Sequence, residues 1–401
     1  MNCDIAIVGG GLVGASLAVA LARSSKQRVI LIEAARPPQS APSWDERCIA
    51  LNDASRRIFE SFGLWDALRA EAEPILATHI SERGRFGAAR FAAADAGLDA
   101  LGYNVPLRAI GAVLWQRLGD SGVELLCPAR VSAVTAREDG VELQLESAST
   151  TPAQTIHARL LAAADGAQSA VRKLLGIGAE TRDYAQHAVV SAVRLARPHA
   201  GVAYERFLES GPLALIPKSG RSASLVWTLP SAQAEAAMAA SDEDYLQRAQ
   251  DAFGGRLGRF TDLGRRLSYP LARVVADVCT APRVALLGNA SQSLHPVAAQ
   301  GFNLGLRDVA VLARRLHDAA DPGDAAVLAA FTEARGSDRS RVSGFTDLLV
   351  RSFSNRVPGL AQSRHWGLVA VDLLPGLREQ VLRQHLGHLG GELGVSLETS
   401  A

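Results

Sequence analysis

Three glycines near the start of the chain, Gly9, Gly11 and Gly14, have the spacing of a turn that holds a dinucleotide. One glycine permits the tight bend, the second lets the backbone approach a pyrophosphate, and the third lets the next helix pack on the preceding strand. Glu33 follows Gly11 by about twenty residues, where a carboxylate can accept hydrogen bonds from ribose hydroxyls. The motif therefore predicts nucleotide binding, although it does not distinguish FAD from NAD.

Glycines also occur in ordinary turns, and this chain has 36 of them, so the motif gains its weight from the elements around it. Residues 3–8 form an apolar run, residues 12–23 have helical periodicity, and Val29 to Ile32 form a second apolar run. A strand, helix and strand within about 30 residues predict a parallel sheet and an α/β fold. The helix would offer its free N–H groups and positive dipole end to the phosphates.

The remaining pattern predicts three regions. Short strand-like stretches between about 180 and 272, separated by Gly, Pro and Ser, indicate a separate sheet. Sheet character returns at 284–287, a helix is expected from about 303 to 317, and helical periodicity follows beyond 324, broken by Pro358 and Pro375. The predicted units are a discontinuous nucleotide-binding domain (1–72, 100–179 and 273–323), a substrate domain (73–99 and 180–272) and a C-terminal helical region (324–401).

Composition excludes several classes of protein. Forty-two basic and 41 acidic residues give a net charge of +1, which does not indicate a nucleic-acid partner. Four scattered cysteines without CxxC spacing argue against disulfides and zinc, and no metal site is expected. With neither a signal peptide nor an apolar run of about 18 residues, the sequence predicts a cytoplasmic protein, at most peripheral to the inner face of a membrane.

Two further segments resemble the flavoprotein aromatic hydroxylases, whose fold is that of para-hydroxybenzoate hydroxylase. Residues 160–176 match the DGxxSxxR motif of that family, and residues 283–308 are similar to its second FAD segment. Standing alone, each segment is equally well explained as a strand-end turn with a helix cap. The resemblance implies that FAD is bound by a glutathione reductase-type, Rossmann-like domain, beside a mixed β-sheet substrate domain and a helical tail. The cofactor residues that it implies in these segments are Asp165, Gly166, Arg172, Gly288, Asn289, Pro296, Gly301 and Asn303.

Two arginines stand at positions where the same family contacts FAD. Arg47 lies in a stretch similar to the family's DxRxxAL motif, and Arg108 lies in a segment that resembles its next FAD-contact helix. A guanidinium suits a diphosphate because it donates two parallel charge-assisted hydrogen bonds. A solvated surface charge is the alternative for both residues.

Departures from the general pattern indicate one branch of the family. Asn289 replaces the usual aspartate and Gln292 a common histidine, giving a version similar to the 2-polyprenyl-6-methoxyphenol hydroxylases of ubiquinone biosynthesis. Residues 203–217 and 346–353 also resemble that branch. Ala299 replaces the first glycine of the GQG motif, which adds a methyl group where the backbone should approach the flavin. Asn289 lacks the charge of aspartate but keeps an acceptor of similar size, so FAD binding is expected to survive.

The resemblance implies a monooxygenase in which NAD(P)H reduces FAD and a flavin C4a-hydroperoxide hydroxylates a phenol ring. Because only one GxGxxG occurs, NAD(P)H is expected to visit the FAD site transiently. His295 is the one histidine nominated for proton handling, and a structural role before Pro296 is the alternative.

The implied partners are a lipophilic polyprenyl phenol, O2 and other proteins of ubiquinone biosynthesis. The apolar tail stretches Leu348 to Val350 and Leu368 to Leu374 either line a route for the lipid or form core or homodimer contacts.

Two other functions stay open. One is a different flavin enzyme on the same scaffold, either a reductase of isoprenoid double bonds or a halogenase. A halogenase should carry an active-site lysine and a WxWxIP stretch, of which residues 226–230 (VWTLP) are a poor imitation. The other is a non-catalytic, FAD-stabilised scaffold in a ubiquinone-biosynthesis assembly, with Asn289 and Ala299 as signs of lost activity.

Overall fold

The computed structural model describes residues 1–36, 47–146, 154–294, 300–353 and 360–389. For residues 345–353 and 360–365 the structure describes the helical backbone but not the side chains, so the predicted contacts of Leu348 to Val350 lie outside the described residues. His295, Pro296, Ala299 and Pro358 also lie outside the described residues.

The strands of the described residues are, in chain order, β1 (Asn2–Val8), β2 (Val29–Ile32), β3 (Cys48–Asn52), β4 (Glu73–Ile75), β5 (Ala77–Glu82), β6 (Ala88–Ala92), β7 (Gly102–Pro106), β8 (Glu124–Leu126), β9 (Val131–Ala136), β10 (Val141–Leu145), β11 (Thr155–Ala163), β12 (Ala179–Leu195), β13 (Val202–Leu208), β14 (Gly211–Pro217), β15 (Ser222–Pro230), β16 (Phe260–Leu263), β17 (Leu267–Ala276), β18 (Thr280–Ala281), β19 (Val284–Leu286) and β20 (Gln292–Ser293).

The α-helices of the same residues are α1 (Leu12–Ser24), α2 (Asp53–Ser61), α3 (Trp65–Arg69), α4 (Leu107–Gly119), α5 (Ala170–Leu174), α6 (Ser231–Ala239), α7 (Asp242–Phe253), α8 (Gln300–Leu316), α9 (Ala325–Phe353), α10 (Leu360–Leu373) and α11 (Pro375–Leu386).

A mainly parallel sheet forms around the N-terminal strand, as the sequence predicts. Its order is β18-β19-β11-β1-β2-β8, and β10 and β9 extend it in antiparallel fashion from β11. β1 lies parallel to β2 and β11, and β11 lies parallel to β19. Ile5 and Ile7 of β1 are fully buried, and α1 packs on this sheet beside α4 and α8. Burial on both faces explains why these strands are almost continuously apolar.

A second sheet of mixed direction confirms the other predicted layer. Its order is β20-β17-β12-β15-β14-β13-β5-β6, and β16 pairs with β12. The β13–β5 pair is parallel, whereas β12, β14 and β15 pair in antiparallel fashion. A small sheet, β3-β7-β4, accompanies these two. The two large sheets draw on interleaved chain segments; the exact domain boundaries stay predictions.

Side chains of the second sheet alternate between two environments. Val189, Leu213 and Trp227 face α6 and α7 and are buried with Tyr245. The neighbouring residues of the same strands face the opposite side and line a cavity. This alternation follows from the pleat of a strand, in which successive side chains point to opposite faces.

The described part of the C-terminal region is mainly helical, as expected, and Pro375 begins α11 instead of only ending α10. A proline suits the first turn of a helix because the N–H that it lacks has no intrahelical partner there. Leu368 packs with Phe91 of β6 in a small core, whereas Leu373 and Leu374 are 70% and 55% exposed. Among the described residues, no helix combines the length and apolarity needed to cross a membrane.

A buried cluster of charges joins α8 to α9. The fully buried carboxylate of Asp308 accepts from Arg335 Nε at 2.7 Å and pairs with Arg339 Nη2 at 3.1 Å. Asp338 bonds Arg307 at 2.9 Å and also pairs with Arg335. Burial alone would raise the pKa of Asp308, but Arg339 and Arg335 hold that pKa below its ordinary value.

We predict that Asp308→Asn lowers the free energy of unfolding by about 3–5 kcal/mol, because it removes the charge that faces the buried Arg339 and leaves Arg335 with Asp338 alone. Since the pKa of Asp308 is depressed in the folded state, its contribution is complete above about pH 5 and is lost progressively as the pH falls. Urea unfolding followed by circular dichroism from pH 7 to pH 3 measures both effects, and the variant should show a weaker acid dependence.

Glu71→Gln is the matched control. It breaks an exposed pair, in which Glu71 accepts from Arg108 at 2.9 Å, and should change stability by at most about 1 kcal/mol. Equal losses in the two variants would contradict a special role for Asp308.

Candidate functional site

The predicted site segments meet at one edge of the parallel sheet. Gly9 follows β1, Glu33 follows β2, Asp165 lies just after β11, and Gly288 lies just after β19. The strand register places Val8 beside both Ile32 and Ala163, and Ala163 beside Leu286. Because the strands are parallel, their carboxyl ends form one crevice, the usual ligand position in such sheets.

The three glycines differ in what surrounds them. Gly9 has a φ of 103°, and a Cβ there would lie 2.6 Å from the carbonyl oxygen of Ala164. A Cβ at Gly14 would overlap the carbonyl oxygen of Gly9. At Gly11, by contrast, no described atom lies within 4 Å of a Cβ position. Packing therefore requires two of the glycines, and the third borders open space.

That open space lies at the N-terminus of α1. Gly11 is the N-cap residue, and no side chain caps the helix. The first N–H groups of a helix have no intrahelical partner and attract anions. This arrangement fits the pyrophosphate of a dinucleotide.

Glu33 is bonded to the glycine turn itself. Its Oε2 accepts from the amide of Gly10 at 2.5 Å, and its Oε1 accepts from the amide of Ala35 at 2.8 Å. The carboxylate therefore fixes the turn against the end of β2. Each oxygen keeps a lone pair that could accept from a ribose hydroxyl, so that role stays a prediction.

The segment after β11 has its polar groups arranged around α5. Asp165 accepts from Ser169 Oγ at 2.5 Å and from the amide of Val171 at 3.0 Å. Gly166 has a φ of 87° and no described atom within 4 Å of a Cβ position, so this turn also borders open space.

Arg172 ties this segment to the one after β19. Its buried guanidinium donates to the carbonyl oxygens of Ala290 at 2.8 Å and Ala167 at 3.0 Å. The side chain thus fixes the spacing between the two segments. Any contribution to FAD binding through direct contact remains a prediction.

The second FAD segment begins at a turn, residues 288–290, that is hydrogen-bonded to α8. Gly288 has a φ of 54°, and its amide donates to Asp308 Oδ2 at 3.1 Å. The side chain of Asn289 is exposed and borders the cavity. His295 and Pro296, which belong to the same predicted loop, lie outside the described residues.

The first turn of α8 borders the same space. Gly301 has no described atom within 4 Å of a Cβ position. The buried Asn303 accepts from the amide of Asn52 at 3.1 Å and donates to the carbonyl oxygen of Ala50 at 2.9 Å, so it attaches α8 to β3. Gln300 is 2% exposed, and its Oε1 has no donor among the described residues. A ring N–H of a bound flavin would suit such an acceptor.

The structure separates the two predicted arginines. Arg47 borders the cavity, and its guanidinium carbon lies 5.7 Å from the centroid of the Tyr269 ring. Arg108 lies on α4, pairs with Glu71 and is not among the described residues that line the cavity. The geometry therefore supports a ligand contact for Arg47 more directly than for Arg108.

A cavity of about 440 Å³ lies between the cofactor segments and the second sheet. This volume is in the range of small-molecule sites. On the sheet side it is lined mainly by apolar side chains, and the lining residues there include Ala188, Val190, Ala203, Tyr204, Glu205, Pro212, Ala214, Ile216, Val226, Thr228, Tyr269 and Leu271. Asn289 and residues 300–303 lie on the cofactor side.

Sequence reasoning missed several residues of this cavity. Alternation in β12, β14 and β15 could have identified the lining positions once the outer face was assigned to α6 and α7. Thr78 on β5 and His385 on α11 also line the cavity, but they belong to no motif and are distant in sequence. The sequence carried no signal for them.

Comparisons with known proteins agree with this geometry. The family model described as FAD binding domain matches residues 2–343. The chain is 39% identical to the ubiquinone hydroxylase UbiL of Rhodospirillum rubrum, over 96% of this chain and 90% of that protein. It is 33% identical to the 3-demethoxyubiquinol 3-hydroxylase of Escherichia coli, over 96% and 98%. The structure of PqsL from Pseudomonas aeruginosa, with 2-aminobenzoylacetate, matches with a TM-score of 0.77 and 25% identity, covering 92% of this chain and 100% of that one.

We predict that Gly11→Asp abolishes FAD retention but leaves the fold intact. The substitution puts bulk and negative charge into the open space at the helix N-terminus, while no described atom is close enough to clash. Absorbance near 450 nm of the purified protein reports FAD, and circular dichroism reports the fold. Gly255→Asp, two residues after α7, also has open space at its Cβ position, does not line the cavity and should keep its FAD. A normal flavin spectrum in Gly11→Asp would exclude the assignment.

We predict that Asn289→Asp keeps FAD with an affinity within about threefold of the wild type, because the carboxylate has similar size and keeps the acceptor. Asn289→Leu lacks the acceptor and should bind about 2- to 12-fold more weakly, the equivalent of one hydrogen bond. Fluorescence titration of the apoprotein with FAD measures both. A colourless Asn289→Asp protein would show that the amide itself is required.

Proposed function

The chain belongs to the FAD binding domain family, and from this membership we propose that it hydroxylates the aromatic ring of a polyprenylated phenol in ubiquinone biosynthesis. The reaction class is that of an NAD(P)H- and FAD-dependent aromatic monooxygenase. Within that class we propose an activity of the 2-polyprenyl-6-methoxyphenol hydroxylase type. The names of the two sequence relatives, both hydroxylases of ubiquinone or its precursor, support the substrate class.

The observation that carries the proposal is the apolar cavity beside the cofactor segments. Val190, Ile216 and Val226 from three neighbouring strands form one continuous wall of it. An apolar wall favours a lipophilic aromatic ring over a charged substrate, because each Å² of apolar surface that is buried contributes about 25 cal/mol to the free energy of binding. The cofactor segments form the opposite side, so a ring bound here would lie beside the flavin.

The residues present fit FAD. The open space at Gly11 and the uncapped start of α1 suit the pyrophosphate. The Glu33 carboxylate, beside the glycine turn, suits a hydrogen bond from a ribose hydroxyl. Gln300 and the open backbone at Gly301 suit the flavin ring. When bound, FAD supplies the chemistry, because it takes electrons from NAD(P)H and delivers them to O2.

The chain itself contributes binding, orientation and exclusion of water. The sheet holds the phenol ring on its cavity face, and the buried strands beneath that face make it rigid. The apolar lining limits the access of water to the reacting atoms, where it would promote side reactions. Arg47, stacked near Tyr269, provides a cation at the border of the cavity.

We propose that the lipid substrate reaches the protein from a membrane. A polyprenyl phenol resides in membranes, so we place the protein in the cytoplasm, peripheral to the inner face of the membrane and in contact with other proteins of the pathway. Leu373 and Leu374, both largely exposed between α10 and α11, are candidates for such contacts or for a homodimer.

A halogenase is less well supported. The stretch VWTLP lies in β15, and its Val226 and Thr228 face the cavity. Among the described residues, no lysine lines that cavity.

We predict that the purified yellow protein oxidises NAD(P)H in the presence of O2 and converts 2-geranylphenol to a product 16 mass units heavier, in line with the addition of one oxygen atom. Liquid chromatography with mass spectrometry measures the product, and Gly11→Asp serves as the inactive control. FAD retention without turnover would contradict the enzyme and support the scaffold. In cells, a deletion strain should accumulate a quinone precursor that lacks one hydroxyl group, and the intact gene should restore the quinone.

A further inference from the structure

The C-terminal helix α11 contributes a polar residue to the cavity. His385 lines the cavity, while Leu382 and Leu386 on the same helix pack with Phe91 and Leu101 in the small core beside it. At the end of the helix, His388 bonds Asp53 at 2.8 Å, which anchors α11 to α2. The side of α11 that carries His385 is therefore held in place by contacts on neighbouring positions.

The imidazole of His385 has no structural role among the described residues. In the part of the chain that the structure describes, it makes no hydrogen bond and no ion pair. Burial lowers its pKa below the ordinary value of 6.5, so the ring is neutral at neutral pH. A neutral imidazole has one nitrogen that accepts a hydrogen bond and one that donates.

A phenol bound in this cavity needs an acceptor for its hydroxyl group, because a buried donor without a partner loses the hydrogen bond that it made in water. Two of the amide acceptors nearby are already used, and the free Oε1 of Gln300 lies at the start of α8, on the cofactor side of the cavity. Asn52 Oδ1 accepts from the amide of Ser55, and Asn303 Oδ1 accepts from the amide of Asn52. The lining of β12, β14 and β15 is apolar apart from Thr228.

We propose that His385 accepts the hydrogen bond of the substrate's phenolic hydroxyl and so determines how the ring is oriented beside the cofactor. This inference rests on the proposed function. A fixed hydroxyl sets which ring carbon points toward the cofactor segments, and the hydrogen bond increases the electron density of the ring. Thr78 lies on the same side, since it pairs with Phe91 in the β5–β6 register, and its buried Oγ1 also lacks a partner. It can serve a second oxygen substituent of the ring.

The family model ends at residue 343, whereas His385 lies beyond it on α11. The cofactor segments belong to the part shared with the family, and this substrate contact comes from outside it.

Binding of a phenol and its methyl ether to the FAD-loaded protein tests the inference without requiring turnover. Isothermal titration calorimetry would compare 2-geranylphenol with 2-geranylanisole, in which the donor is blocked. The wild type should prefer the phenol by about tenfold, the worth of one hydrogen bond. His385→Leu should lose that preference, and His385→Gln, which keeps an acceptor, should recover part of it.

His388→Gln is the control. His388 belongs to the same chain segment, but its side chain bonds Asp53 and does not line the cavity. The variant should keep the tenfold preference even where its stability falls. During turnover, His385→Leu should oxidise NAD(P)H while forming less hydroxylated product, as expected for a misplaced ring.

The outcomes distinguish an error in the role of His385 from an error in the proposed function. If His385→Leu keeps the preference for the phenol, or the wild type shows none, the role of His385 is wrong while hydroxylation of phenols stands. If the wild type binds neither compound and hydroxylates no phenol, both the proposed function and this inference are wrong.

Discussion

A single buried carboxylate holds together the parts of this molecule that form its site. Asp308 receives the amide of Gly288 from the turn after β19, and it pairs with Arg335 and Arg339 of α9. It is fully buried, so its charge is tolerated only because these partners surround it. The turn at residues 288–290, predicted to contact the cofactor, and the helix α9 are thus attached to the same side chain, and neither can move without exposing a buried charge.

From this anchor, the cofactor side of the site is built mostly from backbone. Gly9 and Gly14 allow α1 to approach the strand ends, and the open positions at Gly11 and Gly301 leave room for a ligand. Side chains such as Arg172 and Asn303 donate hydrogen bonds to backbone carbonyl oxygens of other segments and so keep those segments in register. The substrate side is different, because side chains on the free face of the second sheet form its wall.

This division explains how much could be predicted from the sequence. The spacing of Gly9, Gly11 and Gly14 and the strand pattern located the parallel sheet, since local geometry requires those residue types. The resemblance of residues 160–176 and 283–308 to known FAD segments located the other strand ends. The sequence could not reveal that Glu33 bonds Gly10, or that Arg172 bonds Ala290. Those contacts depend on the spatial order of strands, which local patterns do not encode.

The cavity shows the same limit more strongly and has a consequence for specificity. His385 meets Thr78 of β5 and Val226 of β15 around one space only after the whole chain has folded. Because the predicted cofactor contacts lie mainly in backbone at the strand ends, side chains of β12, β14, β15 and α11 can change without altering that backbone. Substrate choice is therefore free to vary independently of FAD chemistry, and α11, beyond the matched family region, is an element through which that variation can act.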